Sequence, residues 1–69
     1  MSTRYDVYAN GVLDGRDHAG LVGALATART EAMAREGVRF TVWRSDQRGP
    51  AVEEGRYHRV GQRLTAWVR

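Results

Sequence analysis

A chain of 69 residues with a net charge of +3 and no cysteine has room for a single domain, residues 1–69, and excludes both a disulfide framework and a zinc–thiolate site. Nine of its apolar residues are Ala, so the core is thin, and oligomerisation is the staple still open to so small a scaffold. No stretch nears the roughly 20 apolar residues of a membrane span, and the opening Met-Ser-Thr-Arg-Tyr-Asp lacks the apolar segment of a signal peptide. A soluble, cytoplasmic protein without a membrane partner is therefore expected.

Tyr5, Val7 and Ala9 alternate with Asp6 and Tyr8, the period of a half-buried strand. Asn10-Gly11 follows, a dipeptide suited to a type I′ hairpin turn because both central residues need positive φ. The return strand runs from Val12 to about Arg16. Two-residue pairing sets Ala9 opposite Val12, Tyr8 opposite Leu13 and Val7 opposite Asp14.

Asp17 to Gly37 is the segment with helical periodicity. Leu21, Val22, Leu25, Ala28, Ala32 and Met33 recur at three- and four-residue spacing and form one stripe, with Thr27, Arg29, Glu31 and Arg35 opposite. Asp17 is the expected N-cap, Gly37 the left-handed closing residue, and Glu31 and Arg35 a favourable i,i+4 pair. Gly20 and Gly23 weaken the first turn.

Val38 to Trp43 alternates again, with Val38, Phe40 and Val42 on one face and Arg39, Thr41 and Trp43 on the other. Ser45 to Gly55 reads as a polar loop around Gly49-Pro50, with a single helical turn after Pro50 as an option. Residues 56–69 are expected to form a hairpin about Gly61-Gln62, glycine first as a type II′ turn prefers, with one strand from Leu64 to Arg69 preceded by loop as the alternative. This sets Tyr57 opposite Ala66 and His58 opposite Thr65.

The fold class that follows is α+β: a small antiparallel sheet of four to five strands with one helix on one face, in the order ββαβ(β)β. The helix takes the most apolar sheet face, made of Val7, Ala9, Val12, Val38, Phe40, Val42, Leu64, Ala66 and Val68. The other face then carries Tyr8, Leu13, Trp43, Val60 and Trp67 among Arg4, Arg39, Arg56, Arg63, Arg69 and His58. Two Trp beside five Arg depart from a solvated surface, and Trp, Tyr and Arg dominate binding hot spots. The candidate contact residues are Tyr8, Arg39, Trp43, Arg56, Arg63 and Trp67.

A small non-enzymatic binding or regulatory module follows, in contact with a partner protein or with itself as a homodimer. The alternative is a nucleic-acid-binding protein that stacks bases on the same rings while Arg neutralises phosphate. Residues 56–69 carry +4, enough to attract an anion but short of a dedicated basic tail.

Catalytic chemistry has little to work with. Glu53, Glu54, Arg56, His58 and Arg59 form the one set suited to general acid/base cleavage of RNA, which makes a small toxin-type ribonuclease the third reading. Asp14 and Asp17 near His18 could form a carboxylate–imidazole site, but two unrelated histidines without Cys are far more often surface or capping residues, so no metal is expected. No spacing suggests a cofactor, and no residue motif selects a family.

Overall fold

The computed structural model describes residues 3–18, 20–46 and 49–69, with residues 16–18 described by their backbone alone. Five strands and one helix follow one another as β1 (Arg4–Ala9), β2 (Val12–His18), α1 (Leu21–Ala34), β3 (Arg39–Ser45), β4 (Val52–Val60) and β5 (Arg63–Val68). The strands make one antiparallel sheet in the order β2-β1-β3-β4-β5. The α+β class and the single covering helix are as the alternation requires.

Turn chemistry accounts for the two tight hairpins, β1–β2 and β4–β5. Asn10 and Gly11 have φ of 51° and 81°, the double positive value of the I′ turn that matches strand twist. Gly61 has φ of 60°, whereas Gln62 is not among the positive-φ residues, the pattern of a II′ turn. Tyr57 lies opposite Ala66 and His58 opposite Thr65, as expected.

The helix begins later than its periodicity implies. Asp17 belongs to β2, whose ladder runs on to pair His18 with Tyr5. Gly20 is the N-cap, without a side-chain cap bond. The backbone around Asp17 finds its partners in the sheet, so the capping role goes unfilled. At the other end Gly37 is left-handed, with φ of 81°.

Small residues set the helix–sheet contact. Ala24, Ala28 and Ala32, one turn apart, are fully buried against Val7, Phe40, Val42 and Tyr57, with Leu21 and Leu25 at the margin. Val22 and Met33, expected on this stripe, are exposed. Val22 precedes Ala24 by two residues, about 200° of helical turn, and so lies on the far side. The alanine column brings α1 so close to the sheet that a Cβ on Gly55 would stand 2.7 Å from Leu25 Cδ2.

Val52 to Gly55, expected as loop, belongs to β4, where the missing side chain of Gly55 leaves room for Leu25. Gly55 lies opposite Val42 while Trp43 pairs with Glu53, leaving Glu54 as a bulge. The Glu54 carboxylate accepts from Arg44 Nε at 2.8 Å. A second bulge falls in β2: Val7 pairs with Gly15 rather than Asp14. The displaced Asp14 carboxylate meets Arg35 at 3.5 Å, and the Arg35 guanidinium sits 5.3 Å from the Phe40 ring centroid.

Coverage by the helix is incomplete. It packs over β1, β3 and β4 and reaches β2 slightly. Val12, Ala66 and Val68, expected in the core, are exposed on the outer strands. No helix among the described residues is long and apolar enough to cross a membrane.

Candidate functional site

Opposite the helix, no element among the described residues covers the sheet. Alternation along β1 and β3 places Tyr8 opposite Thr41 and Asp6 opposite Trp43 on this face. Here a depression of about 840 Å³ is lined by Arg4, Asp6, Tyr8, Arg39, Thr41 and Trp43, among others. Tyr8 and Trp43 are half-buried in it, and the Trp43 indole Nε1 donates to Thr41 Oγ1 at 3.1 Å, which fixes the ring. Asp6 is the one buried charged residue among the described residues, 6% exposed, and its carboxylate accepts from Arg4 Nε at 3.3 Å.

A smaller depression of about 500 Å³ adjoins it over β3, β4 and β5, and shares Arg39 and Thr41 with the first. Glu53, Arg56, His58 and Thr65 line its remainder. Arg56 Nη2 donates to Glu53 Oε1 at 3.0 Å, and the same guanidinium lies 4.7 Å from the Trp67 ring centroid. A guanidinium stacked on an indole and held by a carboxylate is preorganised, since little rotamer freedom remains to be lost on binding. Trp67 is nonetheless 41% exposed.

All six sequence-derived contact residues stand on this face, but they fall into two groups. Tyr8, Trp43 and Arg39 belong to the first depression, Arg56 to the second with Trp67 beneath it. Arg63 lies beyond them, opposite Val60. Thr41, Glu53 and Asp6 share these hollows and had no individual sequence signal beyond alternation. Glu53 in particular lies in the stretch expected as loop.

The proposed acid/base set is divided by the sheet. Glu53, Arg56 and His58 point to the open face. Glu54 bonds Arg44, and Arg59 turns to the helix side, where its Nε donates to the Met33 carbonyl at 2.9 Å. Among the described residues no group of acidic and imidazole side chains is placed to hold a metal. The Asp17 and His18 side chains lie outside the described ones.

No protein-family model, curated protein or solved structure matches the chain.

Proposed function

We propose that this chain is a small non-enzymatic binding module whose open sheet face contacts a partner protein. The observation that carries the reading is the placement of both indoles on the face away from the helix, one half-buried in a depression and one stacked under Arg56. Rigid aromatic and Arg side chains around a concave centre are the residue types and layout of interface hot spots. The exposed Leu13 and Val60 extend apolar surface to either flank.

Capture from an extract of the source organism, compared between the parent chain and Trp67→Ala with Arg56→Ala, tests this. A protein retained by the parent and lost by a variant that keeps its thermal unfolding transition supports the reading. Equal retention by both sinks it. A measured mass of two chains for the parent and one for the variant would make the partner a second copy.

Single-stranded nucleic acid is the second reading, supported by the guanidiniums of Arg39 and Arg63, which have no ion pair among the described residues. It requires binding that quenches Trp fluorescence and weakens with salt as counterions are released. Binding insensitive to salt would refute it.

A further inference from the structure

Given that the open face binds a partner protein, its charge pattern narrows that partner's chemistry. Among the described side chains on the strands of this face, four guanidiniums, Arg4, Arg39, Arg56 and Arg63, stand against two carboxylates, Asp6 and Glu53. Arg4 holds Asp6 at 3.3 Å and Arg56 holds Glu53 at 3.0 Å. Among the described residues the excess positive charge on the strands of this face therefore resides on Arg39 and Arg63, with Arg69 following just past the end of β5. A second copy docking through the same face would bring at least four uncompensated guanidiniums together, whereas an acidic partner neutralises them.

Register fixes where the partner's charges must lie. Arg39 is opposite His58, His58 is opposite Thr65, and Arg63 is two residues along β5 from Thr65. With strands about 4.8 Å apart and about 3.3 Å per residue, the Arg39 and Arg63 backbones are about 12 Å apart on a diagonal. Side chains four residues apart in an extended segment share a face and are spaced about 13 Å. Continued past Arg39, the same diagonal crosses β1 level with Ala9 and passes beside Tyr8, at the edge of the larger depression, about two peptide residues further on.

We propose that this face takes an extended acidic segment of the partner, with carboxylates four residues apart on Arg39 and Arg63 and an apolar side chain in the hollow beside Tyr8 and Trp43. A nucleic-acid strand fits less well. Even with Arg69, the uncompensated cations among the described residues of this face fall far short of the roughly six to ten phosphate contacts of strong binders, and Arg56 already covers one face of the Trp67 ring.

The probe is a fluorescent synthetic peptide with Phe first, Glu third and seventh and Thr between, compared with its twin carrying Gln for Glu, by anisotropy at low salt. Two exposed ion pairs predict about 2- to 30-fold weaker binding of the twin. With Arg39→Gln and Arg63→Gln combined, both peptides should bind at the twin's level. Arg39 and Arg63 are exposed, so this variant should keep its thermal transition. Equal binding of the two peptides to the parent, no binding of either, or displacement by a tighter-binding oligothymidylate overturns the proposal. If charge has no effect but Trp43→Ala weakens both peptides, the acidic partner is wrong and the binding face stands. If neither variant changes affinity, both are wrong.

Discussion

Replacing Gly55 with Ala tests the closeness of helix and sheet. The added Cβ would meet Leu25 Cδ2 at 2.7 Å and the Trp67 carbonyl oxygen at 3.2 Å. Ordinary carbon contacts lie near 3.5–4.0 Å, so the methyl group is roughly 1 Å too close on the helix side. Leu25 can turn away, but the β5 backbone that carries the carbonyl cannot yield cheaply. Overpacking of this kind costs about 1–3 kcal/mol, and removal of a strand glycine returns roughly 0.5–1 kcal/mol. A net loss of about 1–2 kcal/mol corresponds to roughly 4–16 °C in Tm for a domain of this size.

Thermal unfolding followed by circular dichroism reads that shift. Leu25→Ala removes the atom in conflict, so in that background Gly55→Ala should cost at least about 1 kcal/mol less, a coupling that a double-mutant cycle isolates. If Gly55→Ala is neutral, or costs the same in both backgrounds, α1 does not pack on Gly55 as described.

Three further substitutions probe the frame that holds the open face in place. Phe40→Ala, at the largest fully buried side chain, should cost about 3–5 kcal/mol, most of the stability of a domain this small, and leave little cooperative urea transition. Gly11→Ala forces φ of 81° on an L side chain in the first hairpin turn, so its urea midpoint should fall by the equivalent of about 1–2 kcal/mol at constant m-value. Glu36→Ala removes the carboxylate that accepts from the Gly61 N–H at 2.6 Å. Its midpoint should fall by about 0.5–1.5 kcal/mol, and unchanged stability would mean that this bond contributes nothing.

Where local chemistry and tertiary need agree, the sequence was readable. Asn10-Gly11 and Gly61-Gln62 fix their turns by backbone preference, and the turns then fix the register of Ala9 with Val12 and Tyr57 with Ala66. Alternation along Val38 to Trp43 put Arg39 and Trp43 on the open face for the same reason.

The sequence pattern and the fold diverge where a local signal competes with a long-range one. Asp17 is a good cap, but the β1 ladder engages its strand first. Gly55 and two adjacent glutamates look like loop, yet the glycine is needed under Leu25 and the bulge at Glu54 reconciles the strand with it. Val22 and Met33 match helical spacing in part, but an alanine column sets the buried stripe. The division of the contact residues between two hollows, and the Glu53–Arg56–Trp67 stack, depend on the bulged register of β3 with β4, which no sequence pattern carries.

Acrylamide quenching of two single-tryptophan proteins, Trp43→Phe and Trp67→Phe, tests most directly whether one sheet surface is left for a partner. With Trp43 replaced, the remaining Trp67 should emit at a solvent-exposed wavelength and quench readily. With Trp67 replaced, Trp43 should quench to an intermediate degree. Blue-shifted emission and protection of both indoles in the folded monomer would contradict the account.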